Sequence, residues 1–250
     1  MFRDLIDDLD DYSPEPDQFL DVPFVPSDEG VIEAMFNLAG VGPKDVLYDL
    51  GSGDGRIVIA AAKDRRTRGI GIDIDPFRIG NAMEEAGDAG VECLVDFIEE
   101  DIFTADFSEA TVVTLYLLDS INVQLRPRLL SQLRPGTRIV SQTFDMGDWN
   151  ADERLKLNGV SIYKWIVPAQ VAGTWEWEGL DGEPYRVELQ QKYQEVSGSA
   201  WLADEAVDLE SATLRGGSLE LTIRVDRTSA PHSFMLNFEN AELQSVLDCT

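Results

Sequence analysis

Cysteine, histidine and lysine are scarce in this chain, and each shortage removes a class of chemistry. Cys93 and Cys249 are the only cysteines in 250 residues and sit in unlike contexts, so neither a disulfide framework nor a thiolate metal site is supported. His232 is the only histidine and is expected in a loop beside Pro231. Without a Cys-x-x-Cys or a histidine pair, zinc catalysis, a Ser-His-Asp triad and a Cys-His dyad are set aside, and no metal site is expected. Long apolar runs are also missing, so no membrane span is expected. The first residues lack the cationic start and apolar stretch of a secretory signal, which predicts a soluble cytoplasmic protein.

Positive charge is scarce as well. Twenty basic residues, five of them lysine, face 47 acids, for a formal net charge of -27. Phosphate would be repelled, and no Lys/Arg cluster with interleaved aromatics occurs, so direct nucleic-acid binding is not expected. The acids are spread along the chain. That favours adaptation to a cytoplasm of molar salt, where repulsion is screened within about 3 Å, over a single acidic face for a basic partner.

What is present is organised around Leu47-Tyr48-Asp49-Leu50-Gly51-Ser52-Gly53-Asp54-Gly55-Arg56. A short apolar run suited to a buried parallel strand breaks into glycines at every second position and continues as a helix over 56–63. Glycines there let the backbone approach a ligand closely. Dinucleotide folds show G-x-G-x-x-G, with a helix N-terminus facing pyrophosphate. Here the pattern is Asp49-x-Gly51-x-Gly53-x-Gly55, with carboxylates at Asp49 and Asp54. That charge suits a cationic ligand without phosphate, such as S-adenosylmethionine, and places Asp49, Gly51, Ser52, Gly53 and Gly55 at its site. A second strand, Gly69-Ile70-Gly71-Ile72-Asp73-Ile74, ends in an acid where a ribose-binding carboxylate should fall. Asp73 is the candidate for the ribose hydroxyls, with Ile74 beside it. Asp75 and Pro76 read as N-cap and first residue of a helix carrying Phe77, Ile79, Met83 and Ala86 towards Gly90.

With these residues assembled, the chain resembles a class I S-adenosylmethionine-dependent methyltransferase. Pro23-Phe24-Val25-Pro26-Ser27, followed by the stretch from Tyr48 through Ala62, resembles more narrowly the small protein-lysine methyltransferases related to the mitochondrial enzymes acting on the ATP synthase c-subunit and the adenine nucleotide translocase. The resemblance covers about residues 22–149. It implies that the third strand, over 93–98, is followed by Asp101, accepting from the adenine amino group, and Ile102, covering the ring. It also implies that Phe24 and Val25 pack beside the cofactor. The strand over 110–118 carries Thr114-Leu115-Tyr116-Leu117 where many amine methyltransferases have N-P-P-Y or D-P-P-Y, which argues against nucleobase or glutamine amide acceptors. Tyr116 either lines a lysine channel by cation-π attraction or is an ordinary sheet-end tyrosine. Asp145 or Asp148, in the loop after the fifth strand, either steers a cationic side chain inward or is a solvated turn acid.

The flanking regions complete the expected organisation. Residues 1–22 form an acidic segment, either a short amphipathic helix over the cofactor cleft or a solvated tail. Ser27 is expected to cap a helix ending at Gly40, and Asp119 or Ser120 to cap another that contains Pro127. Beyond residue 158 the apolar pattern turns to period two. Strands over 160–167 and 171–177 are expected to complete the first sheet. Three later runs, around Val187, Leu221 and Leu236, predict an antiparallel sandwich or small barrel. The expected architecture is α/β: a Rossmann-like methyltransferase domain over 23–168, then a β domain over 169–250 that docks substrate or pairs two copies. The methyl acceptor is expected to be a protein lysine. A small-molecule acceptor, a non-catalytic binding module and an NAD-dependent oxidoreductase are the alternatives.

Overall fold

The computed structural model of the protein describes residues 27–180, 182–226, 228, 230–239 and 241–249. The acidic segment 1–22 and the candidates Phe24 and Val25 lie outside the described residues. Sheet A has seven strands in the order β3-β2-β1-β4-β5-β7-β6. Its parallel part is β1 (Val46–Leu50), β2 (Arg68–Asp73), β3 (Val95–Glu99), β4 (Val112–Leu115) and β5 (Arg138–Gln142). The strand order reverses between β1 and β4, which opens a crevice at the carboxyl ends of those strands, where ligands of such sheets bind. β6 (Glu153–Leu157) and β7 (Val160–Ile166) form an antiparallel hairpin added beside β5.

Helices cover both faces. α1 (Glu29–Ala39), α2 (Arg56–Arg65) and α3 (Pro76–Asp88) bury Val31, Phe36, Ile57, Val58, Ile79 and Ala86 against one face. α4 (Asp119–Gln132) buries Ile121, Leu125 and Leu129 against the other, together with Trp149 and Trp165. The caps correct two expectations. Asp28, not Ser27, caps α1, accepting from Gly30 N at 2.9 Å, while Gly40 ends the helix with φ 64° as expected. Leu118 precedes α4 without a side-chain cap, and Asp119 lies in its first turn. Asp75 and Pro76 open α3 as expected, but Phe77 and Met83 point outward, 74% and 54% exposed, and Ala82 shares the buried face instead.

Sheet B is a separate seven-stranded antiparallel meander in simple sequential order: β8 (Gly173–Glu178), β9 (Pro184–Lys192), β10 (Glu195–Leu202), β11 (Glu205–Arg215), β12 (Ser218–Arg224), β13 (His232–Glu239) and β14 (Glu242–Asp248). It curls until it is nearly barrel-shaped, so that Trp177 of β8 meets Phe234 of β13 with ring centroids 5.1 Å apart, and Trp175 meets Phe238 at 4.9 Å. Alternation places Tyr185, Val187, Leu221, Ile223 and Leu236 inside. β8 therefore belongs to sheet B rather than completing sheet A. The missing strand is β6, whose alternating Leu155 and Leu157 lead into the Asn158-Gly159 turn, with φ 49° and 88°, that joins it to β7. His232 also departs from expectation: it opens β13, with Nδ1 3.2 Å from the Tyr185 hydroxyl.

The two sheets meet through the loop after β5. Trp149 Nε1 donates to Gln194 Oε1 at 2.8 Å, and Gln194 Nε2 donates to the carbonyl of Asn150 at 2.7 Å. The Tyr193 ring stacks on Trp149, centroids 5.7 Å apart, and its hydroxyl donates to Asp148 at 3.1 Å. Gln194→Ala should leave the indole N–H of a buried tryptophan without its partner. A loss of about 1–3 kcal/mol is expected, read as a lower midpoint in urea unfolding.

Candidate active site

β1 delivers Asp49 to the crevice because alternate residues of a strand share a face: Leu47 enters the α1–α3 core, and Asp49 follows on that side. Asp49 is 2% exposed and accepts from Thr114 Oγ1 of β4 at 2.7 Å. Burial, opposed by that hydrogen bond and reinforced by the charges of Asp73 and Asp54, pushes its carboxyl up from 3.8 to about 7. The turn that follows has Gly51, Gly53 and Gly55 at φ 82°, 55° and 76°. At Gly55 a Cβ would lie 2.6 Å from the Phe97 ring and 2.9 Å from Ala82, so the turn admits no side chain there.

Asp73, at the end of β2, ties this turn down: Oδ2 accepts from Gly53 N at 2.8 Å and Oδ1 from Asp75 N at 3.0 Å. Ile74 beside it is 48% exposed. Ser52 is buried, and its Oγ lies over Gly71 of β2. Asp101 follows β3 and accepts from Phe103 N at 2.8 Å, while the half-buried Ile102 presents its carbonyl to Arg128. The structure thus brings Asp49, Gly51, Ser52, Gly53, Gly55, Asp73 and Ile74 to the adjoining ends of β1 and β2, with Asp101 and Ile102 after the neighbouring β3. Asp54 corrects the charge argument, since its carboxylate is gripped by Arg56 Nε at 2.9 and 3.1 Å. Despite partial burial, that guanidinium holds Asp54 below its ordinary range, so it is not a free counter-charge.

Across the switch point, Tyr116 follows β4 and its ring stacks with Phe144, centroids 6.3 Å apart. Asp145 is exposed, accepts from Gly147 N at 2.9 Å and donates its own N–H to Asp119 Oδ1 at 3.1 Å. Asp148 is bound instead to Arg126 and Lys192, at 2.7 and 3.1 Å. The Lys192 ammonium, with the Tyr193 hydroxyl and the Arg126 charge behind it, pulls the Asp148 carboxyl down to about 2. Among the described residues, Asp148 has two cationic partners and Asp145 has none.

Sequence reasoning missed several buried polar residues here. Among the described residues, five buried side-chain atoms have no hydrogen-bond partner: Ser52 Oγ, Asn122 Oδ1, Gln142 Oε1, Trp177 Nε1 and Arg186 Nε. The first three belong to the sheet A unit and are oxygens near the carboxyl ends of its strands. Gln142 and Asn122 lie on opposite faces of β5, since Asn122 packs with the neighbouring Ser141. The available signal was a polar residue inside an apolar strand, as in Thr114 and Gln142.

The comparisons with known proteins follow this geometry. A profile described as the ANTKMT methyltransferase domain matches residues 49–153. A protein-lysine N-methyltransferase of Saccharolobus islandicus is 42% identical over 137 residues, 54% of this chain and 85% of that enzyme. The chain belongs to the ANTKMT methyltransferase family. It is therefore an S-adenosylmethionine-dependent methyltransferase, and the oxidoreductase alternative falls. The adenine nucleotide translocase lysine N-methyltransferase of mouse is 31% identical, over 52% of this methyltransferase and 56% of the mouse enzyme. A Salinibacter ruber protein, described as an RNA methyltransferase and solved with S-adenosyl-L-homocysteine, is 53% identical; the match covers 59% of this chain and 96% of that one, with TM-score 0.58. These matches cover 54% and 59% of this methyltransferase, which leaves room outside them for sheet B.

Proposed function

We propose that the protein N-methylates lysine side chains of protein acceptors. The reading is carried by the kinship with the Saccharolobus protein-lysine N-methyltransferase, which this chain matches over 85% of that enzyme's length. The chemistry of the crevice is compatible with it. In this reading Gly51, Ser52, Gly53 and Gly55 cradle the amino-acid end of the cofactor, Asp49 faces its ammonium, Asp73 and Ile74 its ribose, and Asp101 and Ile102 its adenine. Phe24 and Val25 are assigned to the same site by resemblance alone. S-adenosylmethionine supplies an electrophilic methyl group on a sulfonium. Tyr116 and Phe144 offer ring faces to an alkylammonium, and Asp145 adds a carboxylate at the entrance. Methyl transfer needs an aligned, unprotonated amine rather than a strong base, so positioning and partial desolvation are the protein's tasks.

An RNA acceptor is the second reading, favoured by the description of the Salinibacter protein. The net charge of -27 opposes it. Tritiated S-adenosylmethionine added to a lysate from a strain lacking the protein separates these readings. Label is expected in protease-sensitive material that hydrolyses to methyl-lysine. Label removed by ribonuclease would favour RNA, and label in a protein-free extract a small molecule.

The same reading divides the chain at residue 168, supported by Val167 packing with the core of sheet A and Ala169 with that of sheet B. It assigns the acid-rich surface to a salt-rich cytoplasm. Among the described residues no helix is long and apolar enough to cross a membrane. It assigns pairing of two copies to sheet B, whose edge strands β8 and β14 each have one neighbour; sedimentation showing a monomer at all concentrations would remove that element.

A further inference from the structure

The backbone leaves β5 through a strained turn. Thr143, a β-branched residue, has φ 70°, and Phe144 N donates to the carbonyl of Gln142 at 2.8 Å across it. An i to i+2 hydrogen bond around a positive φ is a rare γ-turn conformation, and such strain persists only where the surroundings impose it. They do so here. Thr143 N donates to Ser161 O at 2.7 Å. The fully buried Asn122 sends its Nδ2 to Ser141 Oγ at 3.3 Å and to the carbonyls of Phe144 and Asp145 at 3.4 and 3.2 Å.

The turn parts two neighbours. Phe144 swings to the Tyr116 ring, while Gln142 stays on the sheet face that it shares with Val140 by strand alternation. Thr114, paired with Val140, extends that face to β4, and Asp49, paired with Thr114, extends it to β1. Gln142 stands two residues beyond Val140, at the carboxyl end of the row. It is 5% exposed, and its Oε1 has no partner among the described residues. A buried acceptor without a donor lowers stability, so its retention beside a strained turn points to a donor that arrives with a ligand.

We propose that Gln142 Oε1 accepts a hydrogen bond from the N–H of the acceptor amine and so sets specificity for an amine that carries an N–H. This rests on the lysine reading above. Held by its N–H, the amine turns its lone pair towards the methyl carbon. The lone pair forms the N–C bond as the C–S bond breaks, the released electron pair stays on sulfur, and the methylated ammonium loses a proton to water. A neutral carboxamide suits the task because, unlike a carboxylate, it does not hold the amine in its charged form.

The test uses the full chain, poly-L-lysine as acceptor and S-adenosyl-L-homocysteine as calorimetric probe. Gln142→Met keeps the shape and removes the oxygen. Its kcat/KM on poly-L-lysine should fall by about tenfold or more, the value of one lost hydrogen bond to a reacting group. S-adenosyl-L-homocysteine affinity should stay within about twofold, and the melting temperature should rise by about 2–4 °C as the unsatisfied acceptor is removed. Gln142→Asn, which retains a neutral carboxamide oxygen, should keep more activity than Gln142→Met. Unchanged kcat/KM, a parallel loss of S-adenosyl-L-homocysteine affinity, or equal loss in both variants would overturn the proposal. A wild-type protein that binds S-adenosyl-L-homocysteine yet never labels poly-L-lysine would overturn the lysine reading itself and, with it, the role of Gln142.

Discussion

Gly53→Arg is expected to weaken S-adenosylmethionine binding by about 100-fold or more, equivalent to about 2.7 kcal/mol. Gly53 is buried, has φ 55° and donates its N–H to Asp73 Oδ2 at 2.8 Å. A side chain in this left-handed region costs about 1–2 kcal/mol before any contact is counted. The arginine must then leave a buried backbone position inside the proposed cofactor cradle. Calorimetry with S-adenosyl-L-homocysteine on a variant of native circular dichroism reads the effect. Unchanged affinity would remove the glycine turn from the site.

Asp49→Asn should separate stability from binding. The Asp49 carboxyl titrates near 7 in the folded chain against 3.8 ordinarily, and a raised carboxyl favours folding only while protonated. Its contribution is therefore complete below about pH 4 and falls by about 4 kcal/mol as pH rises to about 7, at roughly 1.4 kcal/mol per pH unit. Asparagine has no such titration. At pH 8 the ligand-free variant should melt several degrees above the wild type, and its stability should lose this pH slope. Binding should move the other way. If the ionised carboxylate faces the cofactor ammonium, wild-type affinity should fall as pH drops through about 7. The variant should bind weakly at every pH, by about tenfold or more at pH 8. A variant that matches the wild type in affinity would place Asp49 in a purely structural role with Thr114.

Both predictions concern residues recognisable before any coordinates, and the reason is locality. The strand, glycine turn and helix around Asp49 lie within twenty consecutive residues, 46–65, so their spacing carries their geometry. Asp75 and Pro76 were readable for the same reason: a cap and a first helical residue act on the next turn of chain. The alternation in sheet B was readable because a curled meander buries every second residue. Where local signals misled, a competing burial decided. Phe77 and Met83 are apolar yet exposed, because Ile79, Ala82 and Ala86 form the face of α3 that meets the sheet. β6 was also locally legible, since Leu155 and Leu157 alternate ahead of an Asn158-Gly159 hairpin turn.

The loop after β5 behaves differently. Asp145 and Asp148 look equivalent along the chain and both are exposed, yet Arg126, Lys192 and Tyr193 hold only Asp148. Lys192 and Tyr193 come from a hairpin of the second sheet, more than forty residues downstream of the loop they hold, as the 45-residue separation of the Tyr193 and Asp148 partners records. Gln142 shows the same limit. Its composition is ordinary, and only the strained turn at Thr143 and the lack of a partner for its oxygen single it out.

The chain by itself therefore determined the doubly wound sheet, the antiparallel β unit and the glycine turn between β1 and α2. Each rests on contacts between residues close in sequence or on a simple period of burial. The tertiary structure alone decided which acids are paired, how the second sheet grips the loop after β5, and which buried oxygens lack a partner among the described residues. Those outcomes depend on side chains that meet only after distant strands have paired, and pairing across such distances leaves no local pattern to read.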